Sequence, residues 1–276
     1  MTSDVGAKRP CRAWTTLEVA DTQANAAAFG RPSSSRGVHA TGAFPQLRLV
    51  ALVGNGTQVV FGAALGAYEG EATLARTVLP ALRPGMLCLA DRDVVGFDLW
   101  QQAAATEAAL VWRAKANQLF PVTARYADGS SRSTLRANTH GRARDHTPIP
   151  VRVIEYTLPG VPDAEPSYRV VTTRLDPDTA PAVELAALSH ERGAIETAFD
   201  ALQTHLRGAR IVLRSKTPDL VRQEAYGLLL AHFAVRGLMH EAALAATPTP
   251  RDPDTLSFVH AVRVIRRTLP RVAALP

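Results

Sequence analysis

The chain has 276 residues, of which 46% are hydrophobic and 20% charged, and a formal net charge of +6. This composition is ordinary for a soluble globular protein that can bury a large core, and the positive balance favours a polyanionic partner. No apolar run reaches the roughly 18 residues of a membrane span, and the N-terminus lacks the apolar core of a signal peptide, so we expect a cytoplasmic protein. The two cysteines, Cys11 and Cys88, indicate neither a disulfide framework nor a metal site.

The first predicted elements are set apart by glycine, asparagine and proline. Residues 20–43 contain these residues and a serine run, which predicts a loop with one short turn. Apolar runs at Leu47–Val53 and Thr57–Leu65 flank the sequence Gly54–Gly56, so we predict a hairpin in which glycine and asparagine supply positive φ angles. The spacing of apolar residues then predicts a helix over residues 71–82.

The next predicted elements alternate between strand and helix. A proline–glycine turn leads into an apolar strand that ends at Asp91 and contains Cys88 as a small buried residue. A helix over residues 96–107 follows, and then a buried strand over Ala109–Arg113. The order strand, strand, helix, strand, helix, strand predicts a mixed sheet covered by helices.

Between residues 118 and 148 no regular pattern continues, and positive charge accumulates instead. The only acidic residues there are Asp128 and Asp145, and the basic residues and histidines are Arg125, Arg132, Arg136, His140, Arg142, Arg144 and His146. The segment is either a solvated basic loop or a DNA contact. Two strands are predicted after it, at Val151–Leu158 and Tyr168–Leu175.

The last third of the chain is predicted to be helical. A helix over residues 181–206 precedes a second one that begins at Thr217-Pro218 and runs to about residue 241. Asp254 is predicted to cap a last basic helix, which contains Arg263, Arg266 and Arg267.

Two carboxylates have the placement that a two-metal phosphoryl-transfer site needs. Asp91 ends the apolar run Met86–Ala90, and Glu196 lies four residues after Arg192 on one face of the predicted helix. Two Mg²⁺ ions about 4 Å apart can activate a nucleophile and stabilise the leaving oxygen, and they prefer oxygen ligands. The alternatives are a strand-end carboxylate that caps the next loop and a surface ion pair between Glu196 and Arg192.

At these residues the chain resembles the DDE transposases of bacterial insertion sequences, specifically the insertion-sequence-4 family. The family signature on the glutamate helix is tyrosine, two residues, arginine, three residues, glutamate, six residues, lysine. This chain has Ser189, Arg192, Glu196 and Gln203 in that register, and Asp91 matches the aspartate that ends the family's middle strand. The likeness covers residues 13 to 240 and includes the segments Phe29–Pro32, Phe44–Val50, Leu110–Asn117 and Leu213–Pro218.

The resemblance implies a ribonuclease-H-like α/β fold, which is a mixed sheet flanked by helices with a β-rich insertion before the helix of the catalytic glutamate. It implies Mg²⁺ or Mn²⁺ as the cofactor, held by Asp91 and Glu196, and DNA cleavage and strand transfer at transposon ends. The implied partner is double-stranded DNA, bound by a homodimer. The segments expected are a non-family extension (1–12), the first part of the core (13–117), the basic loop and β-rich insertion (118–178), the helical part of the core (179–245) and a basic helix (246–276).

The resemblance and the local charge together indicate DNA-binding residues. Arg192 orients Glu196 or meets a phosphate, because its planar fork suits both roles. Gln203 stands where the family has a lysine that contacts DNA, and a glutamine cannot neutralise a phosphate. Arg113 and Lys115 share one face at strand spacing and are expected to line the DNA channel. A phosphate-binding strip, or else a solvated basic loop, is predicted near the next helix start at Arg207, Arg210, Arg214 and Lys216.

The first catalytic aspartate of the family has no counterpart in this sequence. The family has it in an Asp-Gly-Thr-Thr strand, whereas the matching stretch begins with Ala13 and Trp14. Losing this carboxylate removes about one negative charge facing four positive charges, so metal occupancy and geometry should both suffer. Glu18 and Asp21 do not match the motif as substitutes. We therefore expect weak or absent strand transfer, as in a decayed copy that joins the family pattern near Thr15.

Two other hypotheses compete with an impaired transposase catalytic domain. One is a noncatalytic DNA-binding remnant that occupies transposon ends or joins an intact copy as an inhibitor. The other is a truncated product that folds poorly because its sheet lacks the first central strand. If Thr15–Val19 pairs as a strand, the sheet is complete and this last hypothesis weakens.

Overall fold

A computed structural model of the chain describes residues 10–32, 44–67, 71–92, 96–115, 117–137, 147–158, 160, 165–190, 198–202, 212–246 and 248–272. The chain forms two compact units. Unit 1 contains residues 1–13 and 75–193, and unit 2 contains residues 14–74 and 194–276.

The helices and strands are numbered in chain order. They are β1 (Pro10–Val19), α1 (Gln23–Phe29), β2 (Gln46–Gly54), β3 (Val60–Gly66), α2 (Glu71–Val78), β4 (Leu87–Ala90), α3 (Phe97–Ala104), β5 (Ala109–Arg113), β6 (Ala124–Arg125), β7 (Ser131–Leu135), β8 (Ile149–Tyr156), β9 (Tyr168–Thr172), α4 (Ala182–His190), β10 (Val212–Leu213), α5 (Pro218–Leu244) and α6 (Phe258–Val272). No helix in the described ranges is long and apolar enough to cross a membrane.

Unit 1 is a mixed sheet in the strand order β1, β4, β5, β9, β8, β7, β6. The start of β1 runs parallel to β4, β4 runs parallel to β5, and the remaining pairs are antiparallel. Leu110, Val111 and Trp112 of β5 are at most 1% exposed, and the ring of Trp100 on α3 meets that of Trp112 edge to face at 5.1 Å. The predicted mixed sheet with flanking helices is therefore confirmed.

Unit 2 contains the strand order β3, β2, β1, with β10 parallel to the end of β1. Its buried core joins β1, α1, β2, β10 and α5 through Leu17, Val19, Phe29, Leu47, Leu213, Val221 and Ala225. Within this unit Glu18 pairs with Val212 and Val19 with Leu213. Thr15–Val19 thus pairs as a strand, and this weakens the hypothesis of a truncated product that folds poorly.

Several local predictions differ from the structure. The expected loop at 20–43 contains α1, because Thr22 caps it and the buried Asn25 donates from Nδ2 to the Ala20 and Ser215 carbonyl oxygens at 3.0 and 3.1 Å. Residues 118–148 contain β6 and β7, whose pairing with each other and with β8 was hidden by their polar composition. The hairpin is confirmed, but the positive φ angles belong to Gly56 and Gln58.

The predicted cap at Asp254 is wrong. Asp254 lies inside a 3₁₀ turn, Pro253–Thr255, and its own backbone N–H donates to the carboxylate of the capping residue Asp252. The following helix, α6, begins after Ser257, whose hydroxyl accepts a hydrogen bond from the backbone N–H of His260 at 3.3 Å. The carboxylate of Asp254 instead accepts a hydrogen bond from Gln58 Nε2 at 3.2 Å, which ties the turn to the β2–β3 hairpin.

Beside this contact, α5 buries two basic side chains. Arg236 is 4% exposed, donates to Gln58 Oε1 and lies 4.7 Å above the ring of Phe258. His232 is 0% exposed, its ring is 5.4 Å from that of Phe258, and neither ring nitrogen has a hydrogen-bond partner. Burial, and after it the charge of Arg236, lowers the pKa of His232 from 6.5 to about 4.

Replacing His232 by leucine should stabilise the protein. The buried ring nitrogens of His232 gain no hydrogen bond, so an apolar side chain of similar size should raise the free energy of unfolding by about 1–3 kcal/mol at neutral pH. His240→Leu is the matched control, because His240 is exposed on the same helix, and its effect should stay within about 0.5 kcal/mol. Urea unfolding of both variants measures the difference, and equal effects would contradict the prediction.

The same substitution should change the response to acid. Because the folded pKa of His232 lies below 6.5, the unfolded chain binds the extra proton, and stability falls by about 3 kcal/mol as the pH drops from 6.5 to 4. Burial and the nearby Asp252 raise the pKa of Asp254, which acts in the opposite sense because the folded chain then protonates first. The His232→Leu variant should therefore lose less stability than the unaltered chain across this window.

Candidate metal and DNA site

Asp91 directly follows β4, where the buried run Leu87–Ala90 delivers it to the carboxyl end of the strand. Its side chain is half-buried, and its Oδ1 accepts a hydrogen bond from the backbone N–H of Arg92 at 2.6 Å. The buried strand fixes the backbone that carries the carboxylate. Asp91 is therefore held in place at the sheet edge, as a metal ligand needs to be.

Three parallel strands of unit 1 meet here, where β4 and β5 end and β1 continues toward unit 2. Arg12 on β1 pairs with Ala90 on β4, and Ala90 pairs with Trp112 on β5. The next residue along each chain segment is Ala13, Asp91 and Arg113 respectively. Ala13 therefore occupies the position on β1 that neighbours Asp91, and alanine supplies no ligand there.

Charge at this edge is balanced by a residue that the sequence analysis did not identify. The carboxylate of Glu165 contacts Arg113 Nη2 at 2.6 Å and Arg92 Nη1 at 3.0 Å. The guanidinium of Arg113 also lies 4.7 Å above the ring of Tyr168, and its side chain is 16% exposed. Glu165 follows a loop rich in proline, glycine and aspartate, and no periodic pattern in the sequence distinguishes it.

The described residues contain no group of three or more histidine, cysteine, aspartate or glutamate side chains arranged to hold a metal ion. Asp91 offers carboxylate oxygen, which is the donor that Mg²⁺ and Mn²⁺ prefer. The second expected ligand, Glu196, lies outside the described residues, as do Arg192 and Gln203. Of the two expected ligands, the described residues therefore include Asp91, whose donor chemistry fits a divalent cation.

The predicted phosphate strip lies in unit 2 and is described in part. Arg214 and Lys216 have exposed side chains at the turn between β10 and α5, while Arg207 and Arg210 lie outside the described ranges. The carboxylate of Glu224 accepts hydrogen bonds from the backbone N–H groups of Arg214 and Ser215, at 3.2 and 3.1 Å. These two backbone donors are thus already used, so phosphate binding here would depend on the side chains.

Two further details concern the predicted DNA contacts. The α5 helix begins at Pro218 as predicted, but Thr217 makes no side-chain capping hydrogen bond. Lys115 is exposed just beyond β5, whereas its expected partner on that face, Arg113, is engaged by Glu165. To bind a phosphate, the side chain of Arg113 would have to exchange its contact with Glu165.

Comparisons with known proteins agree with this fold. The transposase DDE domain family matches residues 14–234. The transposase InsG for insertion sequence element IS4 of Escherichia coli (strain K12) is 25% identical over 258 residues, which are 90% of this chain and 55% of that protein. The piggyBac transposase, from a cryo-EM structure of its synaptic complex with hairpin DNA, matches 98% of this chain and 55% of its own length, with a TM-score of 0.56 and 9% identity.

The chain thus spans about half the length of these relatives. The family match covers most of both described units, and the structural match shows that the fold is similar to that of the piggyBac transposase. From these findings we conclude that the chain belongs to the transposase DDE domain family and is of the insertion-sequence-4 type.

Proposed function

We propose that this chain is the catalytic part of a transposase that cuts DNA at insertion-sequence ends and joins it to a target, with activity reduced by the alanine at position 13. The observation that carries the proposal is the placement of Asp91 at the carboxyl end of β4, beside the β1 position occupied by Ala13 in a transposase DDE domain. The protein would act on DNA inside the cell, in the cytoplasm.

In this proposal Asp91 and Glu196 hold Mg²⁺ or Mn²⁺. When bound, the metal lowers the pKa of an attacking hydroxyl and stabilises charge on the leaving oxygen. Asp91 contributes carboxylate oxygen from a backbone position fixed by β4, and its hydrogen bond from the Arg92 N–H helps to orient it. Arg192 would orient Glu196 or bind a phosphate through its planar fork.

The reduced activity follows from charge and ligand count. Two divalent cations bring four positive charges, and each missing carboxylate leaves one charge uncompensated and one coordination position to water. Position 13 neighbours Asp91 in the parallel register, so an aspartate there would share the same edge of unit 1. Ala13 cannot supply this ligand, and the metal would bind more weakly as a result.

Double-stranded DNA is the proposed partner, bound by a homodimer. The chain carries a net charge of +6, which favours association with the phosphate backbone. Among the residues predicted to bind DNA, Arg214 and Lys216 have exposed side chains at the turn before α5, and Lys115 is exposed just beyond β5. The proposed contacts are completed by Arg113 and by Arg192, Gln203, Arg207 and Arg210.

A second function, DNA binding without cleavage, is favoured by one observation. Ala13 is the residue that β1 brings next to Asp91, so the carboxylate set of unit 1 is incomplete even though its sheet is formed. Such a chain would occupy transposon ends or join an intact copy and inhibit it. The two functions differ in whether added metal produces nicked DNA.

Asp91→Asn tests the proposal directly. Asparagine keeps the size of the side chain and removes the charge, so metal-dependent nicking should fall on the order of 100-fold or more and Mn²⁺ should bind more weakly. Nicking of supercoiled plasmid measures the first effect and electron paramagnetic resonance of Mn²⁺ the second. Asp98→Asn is the control, because Asp98 is exposed on α3 of the same unit. Its ion pair with Arg76 is long at 3.8 Å and therefore weak.

Equal nicking by the unaltered chain and the Asp91→Asn variant would refute catalysis at this site. Duplex binding without nicking in either protein would instead support the noncatalytic function. Because Mn²⁺ binding is measured without DNA, loss of metal affinity can be told apart from loss of DNA binding.

A further inference from the structure

We propose that the exposed arginine face of α6, formed by Arg263 and Arg267, binds the phosphate backbone of duplex DNA. This inference rests on the proposed action on DNA and adds a contact surface outside the family domain, which matches residues 14–234. Both side chains are exposed and lie four residues apart on α6. They therefore follow each other along one side of the helix at a rise of about 6 Å.

The opposite side of α6 anchors it in unit 2. Phe258 and Val262 are 7% and 5% exposed, and they pack in a buried cluster with Val235 and Met239 of α5. Because the apolar stripe faces this cluster, the helix is fixed with the arginine face turned toward solvent. The arginine face is thus a defined surface carried by a packed helix.

The charge pattern of α6 differs from that of the other long helix. Residues 255–276 contain four arginines and no aspartate or glutamate, whereas α5 mixes acidic Asp219, Glu224 and Glu241 with Arg222 and Arg236. Like charges four residues apart destabilise an isolated helix by a few tenths of a kcal/mol per pair, roughly as much as opposite charges stabilise it. A surface selected only for solubility would intersperse acidic residues, as α5 does.

Within the described part of the chain, neither Arg263 nor Arg267 has an acidic side chain within ion-pairing distance. Their charge is therefore available to an external anion. A row of guanidinium groups suits the phosphates of a duplex, since each guanidinium can donate two parallel hydrogen bonds to the oxygens of one phosphate. Duplex DNA is the polyanion that the proposed function already brings to this protein.

The test is the salt dependence of duplex binding by the full chain. Each phosphate contact contributes about 0.9 to the slope of log affinity against log salt concentration. The Arg263→Gln/Arg267→Gln variant should therefore lose about 1.8 from that slope, and its affinity should fall roughly tenfold or more near 0.1 M salt. Fluorescence anisotropy with a labelled duplex of arbitrary sequence and no metal gives both values.

Arg76→Gln/Arg251→Gln is the matched control. Both arginines are exposed, and the double substitution removes the same net charge while leaving every residue of α6 unchanged. This control should retain the slope of the unaltered chain. Thermal melting checks the fold of the test variant, whose midpoint should be unchanged or higher because a like-charge pair has been removed.

A slope and affinity equal to those of the unaltered chain would overturn the role of the arginine face while leaving the proposed function intact. An equal loss in the control variant would also overturn it, because net charge alone would then explain the effect. If the unaltered chain bound no duplex, both the inference and the proposed action on DNA would fail. If only vesicles containing phosphatidylserine were bound through the arginine face, DNA would be the wrong partner.

Discussion

Ala13→Asp should raise metal-dependent DNA nicking by on the order of 100-fold or more, because it returns a carboxylate to the β1 position that neighbours Asp91. The parallel pairing of Arg12 with Ala90 makes residue 13 the next position along β1, at the same edge of unit 1. An aspartate there adds a negative charge and a coordinating oxygen for the divalent cation. Plasmid nicking in Mg²⁺ and in Mn²⁺ measures the gain.

Ala13→Asn separates ligand chemistry from side-chain size. Asparagine has nearly the shape of aspartate and lacks its charge, so this variant should nick DNA no faster than the unaltered chain. Adding Asp91→Asn to Ala13→Asp should return activity to the starting level, since both carboxylates are required. Equal gains from aspartate and asparagine, or no gain in Mn²⁺ affinity with aspartate, would disprove the proposed cause of impairment.

Asp128→Asn should lower the stability of the protein by about 3–5 kcal/mol, because it leaves a buried guanidinium without its counter-charge. Arg152 on β8 is 0% exposed and forms a salt bridge with Asp128. Its remaining hydrogen-bond partners are neutral, namely the Ser130 hydroxyl at 2.7 Å and the backbone carbonyls of Ala180 and Asp176 at 2.6 and 3.5 Å. Urea unfolding followed by tryptophan fluorescence suits the measurement, since Trp100 and Trp112 are buried in unit 1.

A surface ion pair in the same chain provides the control for the stability cost expected at Asp128. Asp219 and Arg222 are three residues apart on α5, with side chains 89% and 44% exposed, so Asp219→Asn should cost less than about 1 kcal/mol. Adding Arg152→Met to Asp128→Asn should recover part of the loss, because no buried charge then remains. Equal costs at Asp128 and Asp219 would show that burial of Arg152 does not decide the effect.

Acid should weaken the Asp128–Arg152 pair, and the pKa of Asp128 determines the pH range in which this happens. Burial alone would raise the pKa of Asp128, but hydrogen bonds from Ser130 and the charge of Arg152 outweigh it, and the net pKa lies below 3.8. A lowered folded-state pKa means that this carboxylate stabilises the fold above pH 3.8 and loses that effect as the pH falls through the folded value. The contribution is therefore complete at neutral pH, where the comparison with Asp219 is made.

The sequence predicted the buried strands of the sheet well, because a strong apolar pattern can be buried favourably in only one arrangement of the chain. The predicted strand Ala109–Arg113 has the same bounds in β5, and the helix expected from Thr217-Pro218 appears as α5. The strands β6 and β7 were not predicted, because their polar residues form no apolar pattern. In β7, Ser131–Leu135, the ladder with β8 and the buried hydroxyl of Ser133 replace a hydrophobic pattern.

Contacts between residues far apart in the chain were beyond the reach of sequence patterns. Asp128 was read only as one acid in a basic segment, and nothing local indicates that it meets Arg152 on β8. The local sequence likewise did not indicate the role of Glu165, since that role depends on contacts with Arg92, just after β4, and Arg113, at the end of β5. The parallel register of β1 and β4 brings position 13 next to Asp91, and composition alone does not indicate this neighbourhood.

Unit 2 is built from two segments far apart in the sequence, residues 14–74 and 194–276, and this has a consequence for biosynthesis. Thr22 donates to the Lys216 carbonyl across 194 positions, and Gln58 reaches Asp254 across 196. Such high contact order makes folding slow, because a long loop must close before these contacts form. While the ribosome is still making the C-terminal third, the β2–β3 hairpin lacks α5 and exposes apolar surface. Nascent chains should therefore depend on chaperones until translation ends.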